Sequence, residues 1–163
     1  MKKCLCFVLF CLCPLFLFAQ QFSVQKNGTV IDKATNLMWM QNDYDAYEGK
    51  HLPRYTWSEA KEWCKSINKA KFAGYNDWRM PTVSELKSIF RTVESRNKVQ
   101  KAFILKNQEC AYWTCRKLNQ YIATVVWTDE YYSDSQSIDP LQFEKNENVR
   151  VGHPSVLLVR TYK

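Results

Sequence analysis

The sequence runs to 163 residues, 46% of them hydrophobic and 15% aromatic, and its 23 basic against 16 acidic side chains give a formal net charge of +7. A chain of this size holds one domain with a core of its own, and so mild a basic excess does not mark a nucleic-acid binder. No Ser–His–Asp order, glycine-rich phosphate loop, zinc spacing or convincing carboxylate pair is found, which sets aside the enzyme classes that depend on them.

The first predicted element is a leader. Lys2 and Lys3 precede an apolar run from Cys4 to Ala19, and polar residues begin at Gln20. A basic flank, a short apolar core and a small residue at its end predict a secretory signal peptide over residues 1–19. The run is shorter than the roughly 20 residues of a bilayer-spanning helix. Lipid attachment at Cys11 or Cys13 would call for a small residue before the cysteine, where Phe10 and Leu12 stand. The expected exported chain, residues 20–163, is a single domain with no transmembrane segment, placed in the periplasm, at the cell surface or in the medium. Three of the seven cysteines remain on it. Cys110 and Cys115 are expected to bridge around Ala111–Thr114, and Cys64 to be a buried free thiol.

Phe22–Gln25 and Thr29–Ile31 read as a hairpin across Asn27-Gly28, with the two positive φ angles of a type I′ turn. A turn over Asp32–Asn36 leads to a buried strand, Leu37–Met40, and residues 41–55 read as a loop. Thr56 and Glu59 form the signature of a capping box, behind which Trp57, Ala60, Cys64 and Ile67 recur at helical spacing. A second box, Thr82 and Glu85, follows Pro81 and opens a helix whose apolar face is Val83, Leu86, Ile89, Phe90 and Val93. Asn76–Met80 is a short extended segment between them. Beyond residue 94 the pattern weakens, with strands expected at Ala111–Thr114, Thr124–Thr128 and Ser155–Tyr162. Two helices, a few strands and much loop predict an irregular α+β domain. Most of the aromatic rings are expected to fill its core, with exposed rings reserved for stacking on sugars.

Charge is unevenly spread. From Lys87 to Lys117 eight basic residues face Glu94 and Glu109, and from Leu118 to Asn148 six acidic residues face Lys145. The two segments either neutralise one another or present a basic surface to an acidic ligand. The candidate binding residues are Arg91, Arg96, Lys98, Lys101, Lys106, Arg116 and Lys117, interleaved with Phe103, Tyr112 and Trp113. Asp129, Glu130, Asp134 and Asp139 are read as a solvated acidic loop, with calcium as the alternative; their spacing matches no EF-hand. No other cofactor and no metal site is expected.

Two blocks of residues carry a resemblance. One is Asn27-Gly28-Thr29-Val30-x-Asp32-x-x-Thr35-x-Leu37-Met38-Trp39. The other runs from Tyr55-Thr56-Trp57-x-x-Ala60 through Cys64 to Ala73-Gly74-Tyr75-x-Asp77-Trp78-Arg79-Met80-Pro81-Thr82-x-x-Glu85-Leu86. Both resemble the Lcl C-terminal domain family, named for a Legionella collagen-like adhesin, and Tyr112-Trp113-Thr114 and Leu158-Val159-Arg160 resemble its later landmarks. The resemblance implies a C-type-lectin-like fold and extracellular binding, since that adhesin attaches to sulfated host polysaccharides. Asn36 stands where the family usually has Gly, and Asn tolerates the left-handed conformation. Leu158 stands where many members have a cysteine able to partner the one matching Cys64. No collagen-like stalk precedes the domain, so a trimeric arrangement is not carried over. A structural role is expected for Trp39, Trp57, Gly74, Asp77, Trp78, Arg79, Pro81 and Glu85, with Trp78 between the helices and Asp77 and Arg79 in one polar cluster.

Trp78-Arg79-Met80-Pro81-Thr82-x-x-Glu85 also faintly resembles formylglycine-generating enzymes, which would imply copper and a late cysteine pair. Cys110 and Cys115 are the one such pair, with no matching motif around them, and the Glu-Pro-Asn triplet of calcium lectins is missing. The reading is therefore an exported, non-enzymatic binding or adhesion module for sulfated or acidic glycans. The alternative is an envelope structural or protein-interaction domain with no glycan ligand.

Overall fold

The computed structural model of the chain describes residues 21–49, 56–90, 93–106, 111–117, 122–127, 143–146 and 154–163. Strands β1 (Phe22–Val24), β2 (Thr29–Asp32) and β3 (Leu37–Met40) lead into α1 (Tyr44–Glu48) and α2 (Trp57–Lys69). A 3-10 turn at Phe72–Gly74 precedes α3 (Val83–Phe90) and α4 (Val93–Ala102). Strands β4 (Ala111–Lys117), β5 (Ile122–Trp127), β6 (Phe143–Asn146) and β7 (Val159–Thr161) complete the order. They form two antiparallel sheets, β1-β2-β3-β7 and β4-β5-β6. Among the described residues, four helices with small antiparallel sheets make this an α+β fold.

The run Leu37–Met40 is apolar at every position because both faces of its sheet are covered, a pattern that half-buried strands do not show. Met38 and Met40 join Trp57, Ala60, Trp63, Cys64 and Ile67 of α2 in one core cluster. Leu37 and Trp39 point the other way, toward Leu86, Ile89 and Phe90 of α3 and Val99 and Ala102 of α4. The C-terminal segment alternates in the same sense: Val156 and Leu158 enter the first cluster, Leu157 and Val159 the second. One strand layer between two helical layers therefore divides the interior into two cores.

Both capping boxes form. Thr56 Oγ1 accepts from the Glu59 amide while Glu59 Oε2 accepts from the Thr56 amide at 2.7 Å, and Thr82 and Glu85 repeat the exchange. Asn36 has a φ of +56°, so the expected replacement of glycine in the β2–β3 turn holds. Asp32 fastens that turn by accepting from the Ala34 amide and the Thr35 hydroxyl.

Four expectations are corrected. The β1–β2 connection is a three-residue loop, with Gln25 accepting from the Gly28 amide and a positive φ at Gly28 but not at Asn27. That is a type I turn closed by a left-handed glycine, which twists the strands correctly without a left-handed Asn27. Residues 41–55 are not all loop: Asp43 caps α1 by accepting from the Ala46 amide, a single-residue cap with no glutamate three positions on to announce it. A further helix, α4, forms where the pattern was expected to weaken, with Val99 and Ala102 buried, and residues 91–92 between α3 and α4 lie outside the described residues. Of Ser155–Tyr162, Val159–Thr161 are strand, while residues 155–158 are extended and bond to both sheets.

The Asn76–Met80 segment runs alongside β7, where Arg79 and Val159 exchange amide–carbonyl bonds of 2.9 Å each. Asp77 and Arg79 do not pair with one another. Arg160, 6% exposed, donates through Nε to Asp77 Oδ1 at 2.6 Å and through Nη2 to Oδ2 at 3.1 Å, with its guanidinium 3.8 Å over the Tyr75 ring. The hydrogen bond from Arg160 is the main reason the Asp77 carboxyl is held below its ordinary range. A carboxylate with a depressed folded pKa stabilises the fold above its unfolded value, about 3.9, and that contribution fades as pH falls through the folded one. Asp77→Asn is expected to cost about 1 kcal/mol at neutral pH, because the Arg160 guanidinium loses its anion while the 55% exposed Asp77 side is screened by solvent. Thermal melts from pH 7 down to pH 2 should show the gap between wild type and variant closing in acid.

Candidate functional site

The candidate cations stand on three elements. Lys98 and Lys101 are exposed on α4, three residues apart, with Val99 and Ala102 turned inward between and beside them. Arg96 lies on the same helix. Lys106 is exposed just beyond α4, and Arg116 is exposed on β4, with Lys117 next to it at the strand's end. Lys87 lies on α3, and Arg91 falls outside the described residues.

Asp43 positions the Lys106 corner. This carboxylate is fully buried and accepts from three directions: the Ala46 amide, the Lys106 amide at 3.0 Å and the Tyr112 hydroxyl at 3.1 Å. Its own amide donates to Ile104, and the Ile104 amide in turn donates to Gln41. One side chain thus joins the start of α1, the exit of α4 and the middle of β4, and fixes the backbone from which Lys106 projects. Neither the cap nor the long-range bonds carried a local sequence pattern beyond an aspartate ahead of a short polar stretch.

The aromatic half of the expected surface is corrected. Tyr112 and Trp113 are each 2% exposed, and Phe103 is likewise buried. The Tyr112 ring stacks on Phe90 at 5.7 Å and 6°, and Phe103 meets Phe22 and Trp39 edge to face. Trp113 enters the core cluster of α2, whose Trp57 donates from its indole to the Thr114 carbonyl at 2.8 Å. Residues 111–114 are all buried because this part of β4, like β3, is covered on both faces. These rings hold the domain together and do not present a stacking face to solvent.

The central motif is structural in its contacts. Trp39, Trp57 and Trp78 are buried, the Trp78 indole donates to the Phe72 carbonyl at 3.1 Å, and Gly74 takes a φ of +87°. Trp78 packs in the first core beneath α2, not between α2 and α3. Arg79 grips Glu85 with two bonds of 2.6 and 2.8 Å. Burial alone would raise the Glu85 carboxyl, but donation from Arg79 and the Thr82 amide outweighs it and holds the pKa down. Pro81 offers its carbonyl to the Cys115 amide at 2.7 Å, tying the helix start to β4.

Cys64 and Cys115 are free thiols, so the expected Cys110–Cys115 bridge is not formed. Strand geometry explains it: at about 3.3 Å per residue, Cys115 lies roughly 13 Å along β4 from Ala111, while bridged Cα atoms sit about 4.4–6.8 Å apart. Cys110 itself lies outside the described residues. Cys64 is buried beside Leu158 in the first core, donates to the Trp78 carbonyl at 3.2 Å, and has its thiol pushed by burial up to about 11. Partial desolvation also raises the Cys115 thiol, against an opposing pull from Arg79. Asp129, Glu130, Asp134 and Asp139 fall outside the described residues, as do His51 and His153. Among the described residues no group of three or more His, Cys, Asp or Glu is placed to hold a metal ion, and no helix is long and apolar enough to cross a membrane.

A maleimide reagent at neutral pH is expected to label Cys115 in the native protein and Cys64 only after denaturation, because a buried thiol at that pKa is roughly 10⁻⁴ thiolate at pH 7. Peptide mass spectrometry of the labelled chain reads both sites. A peptide pair joined through Cys115 would contradict the free thiol.

Comparison with curated proteins and with solved structures finds no match. The family model of the Lcl C-terminal domain matches residues 28–151, from the β1–β2 turn through β6, and the chain belongs to this adhesin-related family.

Proposed function

We propose that the chain is an exported, non-enzymatic recognition module that binds acidic glycans, sulfated or carboxylated, through Lys98, Lys101, Lys106 and Arg116. The observation that carries this reading is the division of labour in the segment from α4 to β4. Lys98, Lys101, Lys106 and Arg116 are exposed, whereas Phe103, Tyr112 and Trp113, interleaved with them in sequence, are core. Binding then rests on charge, without stacking from Phe103, Tyr112 or Trp113. Membership of an adhesin-related family supports the class of function, and the basic-then-apolar residues 1–19 support export. A C-type-lectin-like arrangement, implied by the family resemblance, belongs to the same reading. No step of bond making or breaking is part of it, and no copper or calcium is required.

Exposed ion pairs are each worth up to about 1 kcal/mol and weaken as salt shortens the screening length to about 8 Å at physiological strength. Retention of the protein on heparin and on a matched neutral polysaccharide, across a salt series, tests the proposal. Selective retention that falls steeply with salt is expected, and Lys98→Glu with Lys101→Glu should weaken it by about tenfold. Equal retention on the neutral matrix, or an unchanged double variant, would remove the basic segment as the binding surface. Capture of one envelope protein that heparin does not displace would favour a protein-interaction role instead.

A further inference from the structure

We infer that the last turn of α1, Tyr47 and Glu48, forms with Trp63 and Phe72 a second binding platform, specific for an uncharged sugar ring. The inference rests on the glycan reading for its class of ligand, but it concerns a different surface and the opposite electrostatic character.

Tyr47 is an exposed ring, with 42% of its surface open to solvent. Its ring is nevertheless held. It meets Trp63 edge to face at 5.8 Å and 69°, and Phe72 at 5.8 Å and 81°. Trp63 is fixed in turn by Tyr44 at 5.3 Å, and Phe72 by Trp78 at 5.7 Å, so the exposed ring is the outer member of a continuous train of rings rooted in the core. A ring immobilised before the ligand arrives loses little rotamer entropy on binding, which is the property that makes rigid aromatics good contact surfaces.

The backbone beside it is strained where it places Phe72. Lys71 and Ala73 have φ of +51° and +53°, conformations that cost a non-glycine residue on the order of 1 kcal/mol or more each. Between them Phe72 is also in contact with the β1–β2 turn, where a Cβ added to Gly28 would come within 3.3 Å of the ring. The turn, the 3-10 segment and α1 therefore converge on this ring.

The polar partner is Glu48. One carboxylate oxygen accepts from the Trp63 indole at 2.9 Å, while among the described residues the other has no donor. The residue is exposed, so that oxygen is open to a hydroxyl donor next to the rings. Glu48 brings a negative charge to this corner: after burial, its charge is the next cause that raises the pKa of the Tyr44 hydroxyl. An apolar C–H face over Tyr47 with a hydroxyl donating to Glu48 satisfies both features, whereas a sulfate or uronate would meet like charge. The chain thus combines cations on α4 and β4 for the anionic groups of a polymer with an aromatic, acidic corner for its uncharged rings.

Saturation-transfer NMR tests this with the exported protein recovered from expressing cells and three uncharged tetrasaccharides, of glucose, mannose and N-acetylglucosamine. At least one should receive saturation at its ring C–H protons, with millimolar affinity unchanged between low and high salt. Tyr47→Ala should weaken it more than tenfold, Glu48→Gln about threefold, and Tyr47→Phe should preserve it, which shows that loss in the alanine variant is not loss of fold. Lys98→Glu with Lys101→Glu should leave it unchanged. No saturation on any of the three, or full binding by Tyr47→Ala, overturns the platform. If heparin is still retained in a salt-dependent way, the acidic-glycan reading survives that failure. Conversely, uncharged sugars bound through Tyr47 by a protein that ignores heparin would sink that reading and leave the platform standing.

Discussion

The segment from Ser155 to Arg160 is the constraint on which the rest of the structure depends. Its backbone bonds in several directions at once: Ser155 exchanges with Ala111 and Trp113 of β4, Val156 accepts from Tyr44 of α1, Leu158 accepts from Met40, and Val159 pairs with Arg79. Its side chains alternate between the two cores, and the buried Arg160 at its end pairs with the exposed Asp77. A strand in this position has no solvent face, which is why Val156, Leu157, Leu158 and Val159 are all apolar. The helices rest on the strand layer that this segment completes, α2 on one side and α3 with α4 on the other.

Buried polar groups mark where the elements are pinned. Asp43, Asp32 and Arg160 are each buried and each bonded to chain distant in sequence or to the turn beside it, so the desolvation they suffer is offset by specific bonds. The arrangement separates two roles that the sequence runs together. From α4 into β4, Lys98, Lys101, Lys106 and Arg116 face water while Phe103, Tyr112 and Trp113 face the core, and only the structure assigns which is which.

Much of the fold was legible where local physics decides it. Thr56 with Glu59 and Thr82 with Glu85 announce their helices because each box satisfies backbone donors within one turn, and Leu37–Met40 announces a strand by its unbroken apolarity. The short α1 was not legible, since five residues depend on Asp43, whose other partners lie more than sixty positions away. The same holds for α4, a mostly polar helix in which Val99 and Ala102 turn toward the core. The cations of the candidate site could be read from composition, but the burial of Tyr112 and Trp113 could not be read from charge patterning. The stronger clue was that Ala111–Thr114 carries no alternation, as a strand with one wet face would. The exposed Tyr47 had no signal of its own, because its neighbours Trp63 and Phe72 come from elements that only the fold brings together.

The pairing of Trp39 with Val159 joins residues 120 positions apart. Contacts so remote cannot form by local search, and loop-closure entropy must be overcome before the partners reward it, so such topologies fold slowly. Until the last strand arrives, β3 has an open edge and each helical layer covers half a core. Both cores therefore close together in one late step, when β7 pairs with β3, and that strand acts as the bolt of the domain.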